Sequence, residues 1–148
     1  MIGESIKISG EWLFYLDNQL VKREKNMIVQ AGLDILAALL INEQPNAIPF
    51  HLALGTGVTP ASSADTKLQT EVFRKVVSSK TRTAAMVRLR TFLLASEAIG
   101  TWIEFGIFMA GTNILNSGTL LNRILLAGGI SKTSNTYLTI ETRITFAV

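Results

Sequence analysis

Glu104 stands in the apolar run TWIEFGIF (101–108), between Ile103 and Phe105. A carboxylate in such surroundings is either a working acid or a structural group with a buried partner. Glu97 precedes it across an expected turn at Ile99-Gly100, so the two form the one carboxylate pair that glycoside hydrolysis could use. Nothing else in the chain supports that pairing. His51 is the only histidine, and a Ser–His–acid triad would have to run through it. It alternates with Phe50 and Leu52 in IPFHLALG, and the sequence holds no Gly-x-Ser-x-Gly elbow. It reads as a strand histidine on a polar face. The Gly-Thr-Gly of LGTGVTP lacks the Gly-Lys-Ser/Thr ending of a phosphate loop, and Pro60 follows it. It reads as a glycine turn leaving a strand, where positive φ is needed. Eleven acids are dispersed along the chain and cysteine is absent, so no metal centre is expected. No catalytic residue, cofactor or small-molecule substrate emerges.

A second polar group lies in ADTKLQTEVFR (64–74). Asp65 and Thr66 are placed to cap a short helical turn that would send Leu68 inward. Glu71 and Arg74 then follow at i,i+3 spacing as a local clasp leading into a strand. The segment reads as architecture. A third feature is charge: between Glu71 and Glu97 no acid occurs, while Arg74, Lys75, Lys80, Arg82, Arg88 and Arg90 all fall there. Such a stripe could track phosphates. Against that, Phe73 and Phe92 are the only aromatics in the stretch, so a solvated strand face or a contact surface for an acidic neighbour is the reading taken, with Arg82, Arg88 and Arg90 as its candidate residues.

The elements that must position these groups are mostly strands. At 148 residues the chain fits one domain with a proper core. Its net charge of +3 is modest, and 48% apolar against 17% charged residues hints at surface covered by partners. Ser5–Ser9 and Glu11–Leu16 are expected strands, followed by an Asp17-Asn18 turn and a return over Gln19–Lys22. Asn26 is an expected N-cap for a helix over about 27–41, where Ile28, Gly32, Ile35 and Leu39 recur at helical spacing and Val29, Leu33, Leu36 and Leu40 widen the stripe. Pro45 and Pro49 bar its continuation past Asn42. Further strands are expected at Phe50–Gly55, Val72–Ser78, Ala85–Ala95, Thr101–Met109, Thr119–Leu126 and Tyr137–Val148, with turns at Asn116-Ser117-Gly118 and Gly128-Gly129. In the last strand Leu138, Ile140, Thr142, Ile144 and Phe146 face in, and Thr139, Glu141, Arg143 and Thr145 face out. The fold class is therefore mainly β: an antiparallel β-sandwich with one α-helix packed on it or capping it. The N-terminus lacks the pattern of a secretory signal, and the longest helix-like apolar segment falls short of the roughly 20 residues a span needs. The chain is expected to be soluble, with no membrane partner.

An ordered set of motifs resembles a family of small structural proteins of tailed bacteriophages. They are KNMIVQAGLDILAALL (25–40), the strand and small-residue loop LALGTGVTPASSADT (52–66), and the Asp-Thr-x-Leu-x-x-Glu-x-x-Arg series of Asp65, Thr66, Leu68, Glu71 and Arg74. Glu104-x-Gly106-Ile107-Phe108, then Gly118-Thr119 with Arg123, and a Lys132-Thr133 turn into the final strand complete the set. Ile99 departs from it, standing where a turn-forming polar residue is expected. The resemblance covers residues 25–148. It implies a non-enzymatic virion subunit, tail-, collar- or baseplate-associated, located in the particle and assembled in the host cytoplasm. Its partners would be copies of itself, in a ring or trimer, and other virion proteins. A capsid decoration or head-fibre protein is the alternative, and a nucleic-acid-binding module using 74–90 a further one. Residues 1–24, outside the resemblance, are expected to form strands that contact neighbours, with 25–148 as the sandwich of one folded unit.

On alternation, Trp102, Glu104, Gly106 and Phe108 share one face of their strand. If that face is covered, Glu104 needs a partner, and Arg123 is the expected one. Asp65, Thr66, Glu71, Arg74, Glu104 and Arg123 are thus the expected structural polar network.

Overall fold

The computed structural model describes residues 5–44 and 48–148. Ten strands and one helix follow in order: β1 (Lys7–Leu16), β2 (Gln19–Lys25), β3 (Met27–Ile28), α1 (Gln30–Leu40), β4 (Phe50–Gly55), β5 (Glu71–Val76), β6 (Ser79–Thr83), β7 (Met86–Leu93), β8 (Gly100–Met109), β9 (Thr119–Lys132) and β10 (Leu138–Ala147). They form two antiparallel five-stranded sheets, β2-β1-β10-β7-β6 (sheet A) and β3-β9-β8-β4-β5 (sheet B). The inward residues of both sheets meet in one core. Trp12 and Phe14 from sheet A pack on Phe105 from sheet B, the Phe14 and Phe105 rings 4.8 Å apart and edge to face. The architecture is a β-sandwich with one helix.

β1 and β2 turn on Asp17-Asn18, both at positive φ, a pair that suits the twist of a two-residue hairpin. β1 is one unbroken strand rather than two, because Gly10 pairs with Ile144 and carries the ladder across the expected break. It lies between β2 and β10, so residues 7–16 and 19–25 are built into sheet A.

The helix is shorter than its apolar pattern. Met27 and Ile28 pair with Arg123 and Asn122 as β3, and α1 begins only after Val29, which caps it without a side-chain hydrogen bond. Asn26 is therefore not the N-cap. Its backbone N–H donates to Gly10 O, and its amide group is buried without a partner. β3 pairing competes with the first helical turn, and the ladder wins. Gly32 lets the helix lie on β9, since a Cβ there would overlap the Leu121 backbone. Ile35 is buried, and Leu36 and Leu39 bridge the two sheets beside Phe50, Phe146 and Ile144. Leu33 and Leu40, on the wider stripe, are exposed. Asn42, at φ 59, ends the element; Pro45 lies outside the described residues.

β6 has no counterpart among the expected strands. Its composition, SKTRT, is polar throughout, because it is an edge strand whose side chains need no core. β9 runs past its expected end through Gly128-Gly129, which form a bulge instead of a chain-reversing turn. Trp102 pairs with Ile130 and Glu104 with Leu125, and the extra β9 residues between them include both glycines at positive φ. That shift turns Trp102 to the inner face, where it joins the core with Phe105 and donates Nε1–H to Ala98 O. Strict alternation would place it beside Glu104; the bulge parts them.

Candidate functional site

The outer face of β8 carries Glu104, Gly106 and Phe108, and the 56–70 loop folds down over it. Leu68 from that loop is buried, with Phe108, Ala53, Leu120 and Val29, in a second small apolar cluster. Gly106 has no side chain to meet Leu68, and a Cβ there would come within 3.0 Å of Leu68 Cδ2. Glu104 is 0% exposed beneath this cover. Its Oε2 accepts from Gly57 N and Thr70 N, both at 2.7 Å, and its Oε1 from Gln69 N at 2.8 Å. Arg123 donates to the same Oε1 through Nη2 at 3.0 Å and Nε at 3.3 Å.

Arg123 stands opposite Gly106 on β9 and reaches outward from Glu104 to the far side of the loop. It donates to Thr59 O at 2.7 Å and to Asp65 Oδ2 at 3.0 Å. Asp65 in turn accepts from Ser62 N, closing a turn and not capping a helix, since no helix forms at 65–70. Thr66 stays outside the network: it is exposed, with no side-chain hydrogen bond among the described residues. Gln69, which neither type nor spacing marks out, fixes the loop from within by accepting from Val58 N and Thr59 N, both at 2.8 Å.

The glycines of LGTG therefore serve closeness rather than turn geometry. Neither Gly55 nor Gly57 has positive φ, but a Cβ on Gly57 would overlap Glu104 Oε2 and one on Gly55 the Thr70 carbonyl.

The second clasp adjoins the first. A bulge at Val72 sets Gly55 opposite Glu71 and Leu54 opposite Phe73. The extra residue brings Glu71 and Arg74 to one face, as an i,i+3 pair in a regular strand would not be. Arg74 meets Glu71 twice, at 2.7 and 2.9 Å, and lies 4.6 Å from the Phe108 ring centre. Its Nη1 donates to Thr112 O, Ser117 O and Ser117 Oγ, so it holds the β8–β9 loop. Asn116 N donates to Glu71 Oε1 at 3.1 Å. Asn116 and Gly118 take the positive φ expected of this turn.

His51, read as facing water, is 4% exposed on the covered face of sheet B. Burial first, and the Arg74 charge next, hold its imidazole below the usual histidine range. Glu97 binds Lys75 Nζ at 2.7 Å and accepts from Leu94 N at 3.0 Å. The Lys75 hydrogen bond and then the Leu94 one hold its carboxyl below the ordinary range. Glu97 and Glu104 hold different cations and share no partner.

The basic stretch does not form one stripe. Arg74 is buried in its clasp, and Lys75 donates to Glu97 and Phe92 O. Lys80 and Arg82 pair with Leu89 and Val87 on the inward side of β6, whereas Arg88 and Arg90 lie on the opposite face of sheet A against Glu141. Arg82 donates to Ala84 O and is separate from them.

As chemistry, the arrangement holds shape. Every strong acceptor direction of Glu104 is occupied, and the depressions of about 360 and 300 Å³ that reach the cluster are lined by Arg123, not Glu104. Among the described residues no group of three His, Asp or Glu could hold a metal ion, and no helix is long and apolar enough to cross a membrane. No protein-family model matches the chain, and neither a curated protein nor a solved structure does.

Proposed function

We propose that the chain is a non-enzymatic structural subunit of a tailed-phage virion, most closely suited to the tail, collar or baseplate, that works in multiple copies. One observation carries the reading. The residues of the phage-like motifs converge on the holding of two loops. Asp65, Glu104 and Arg123 lock the 56–70 loop onto sheet B, and Glu71 with Arg74 locks the 110–118 loop beside it. Motif residues spent on fixing two loops in position suit a building block that presents those loops to neighbours. They do not suit a catalyst, whose acid must be free to exchange a proton. Exposed apolar residues at the sheet edges and loops, among them Val72, Val76, Ile114 and Val58, offer contact area of the kind that assembly covers.

Peptide mass spectrometry of purified particles, with gold-labelled antibody on isolated heads and tails, tests this. The expected result is the protein in particles and label on tails. Label on heads would favour a capsid decoration or head-fibre role, and absence from particles would sink the assembly reading.

A further inference from the structure

Sheet A turns one face away from the core. Trp12, Phe14, Leu89, Ile140 and Ile144 point inward, so alternation turns their neighbours outward. The register orders these neighbours into two adjacent rows across four strands. One reads Lys25–Glu11–Arg143–Arg88 and the next Arg23–Leu13–Glu141–Arg90. Cations outnumber carboxylates five to two in these rows. Glu141 is 3% exposed at their centre, with Arg143 Nε, Arg90 Nε and Arg88 Nε at 2.5, 3.0 and 3.4 Å. Arg143 and Arg88 stand directly opposite one another, a like-charge pairing that costs a sheet stability.

One carboxylate does not need three guanidiniums, and each guanidinium carries five donors. Arg88 and Arg90 keep more than a third of their side-chain surface exposed, and although each Nε is buried against Glu141, neither guanidinium donates a hydrogen bond to any described residue. The face is rich in donors that the fold leaves unspent. We propose that it receives a carboxylate-rich protein segment of a neighbouring chain, an inference that rests on the assembly reading above. A second copy of the same face is unsuited, because it would set a cationic surface against a cationic surface. A nucleic-acid strand fits less well, because Glu11 and Glu141 sit among the cations and would set carboxylates against its phosphates.

The test uses the full chain and two fluorescent probes of equal charge, an oligo-glutamate peptide and a single-stranded oligonucleotide, with binding read by anisotropy at low salt. The peptide is expected to bind, to weaken as salt screens the contact, and to lose roughly tenfold in affinity in R88Q/R90Q. That variant keeps Arg143 on Glu141, and circular dichroism confirms its fold; should it not fold, R23Q/K25Q at the sheet edge carries the same test. K67Q/K80Q removes the same charge elsewhere and is expected to leave binding unchanged. Equal loss in the two double variants, tighter binding of the oligonucleotide, self-association abolished by R88Q/R90Q, or no peptide binding each overturns the proposal. Failure here with the protein present in particles leaves the assembly reading standing, while absence from particles removes that reading whatever the peptide does.

Discussion

Arg123 Nη2 lies 3.0 Å from Glu104 Oε1, with the two side chains 1% and 0% exposed. Two buried charges are tolerable only when each is paired and hydrogen-bonded, and both conditions hold. Three backbone N–H groups of the covering loop complete the carboxylate, so the pair is also the fastening of the loop.

Removing the carboxylate strands Arg123 and those amides. Glu104→Ala is expected to cost about 3–5 kcal/mol, read as a lowered midpoint in urea unfolding. Arg123→Ala should cost a similar amount, and the double variant clearly less than their sum, because the residues share one network. An additive result would show that the pair is not coupled.

Gly57→Ala tests closeness directly. Its φ is not positive, so the added methyl meets no backbone penalty, but it would overlap Glu104 Oε2. Overpacking of this kind costs about 1–3 kcal/mol. A melting temperature equal to that of the parent would count against the tight loop.

The Arg74 clasp is expected to govern the 110–118 loop. Arg74→Met keeps an apolar stem over Phe108 but loses the donors to Thr112 and Ser117. Hydrogen exchange at the amides of 112–117 should quicken, and stability should fall because Glu71 is left buried and unpaired. E71Q/R74M should regain part of that stability while exchange stays fast, since no lone charge remains.

His51 gives a pH dependence with a definite sign. Its folded-state pKa lies below the 6.5 of an unperturbed imidazole, so the unfolded chain binds the proton more readily. The contribution is fully present above pH 6.5 and is lost as pH falls through the folded value. Unfolding free energies measured from pH 7 to pH 5 should therefore drop more steeply for the parent than for His51→Leu, with the carboxylates common to both cancelling. Parallel curves would place the imidazole in water.

Much of this was legible in the residues. Alternation in 138–147 gave the inner face of β10, because a half-buried strand must repeat with period two. Glu104 announced its need for a cation by standing in an apolar run, and Arg123 was the cation in the next strand. Where local preference met long-range pairing, the reading failed. Met27-Ile28 has helical periodicity but is held by β9, and His51, read onto a polar face, is buried on the loop-covered face of sheet B.

The sequence by itself determined the two-sheet class, the inward face of the last strand and the identity of the Glu104–Arg123 pair, and it marked the glycines of LGTG, although for positive φ. These follow from period, charge and residue type. Only the tertiary structure decided why those glycines are needed, that a bulge separates Trp102 from Glu104, and that Gln69 fastens the loop from within. It alone put Lys25, Glu11, Arg143 and Arg88 in one row. Local alternation fixes which face a residue takes, but which charged residues of distant strands fall in one row depends on which strands pair, and that is decided by long-range contacts.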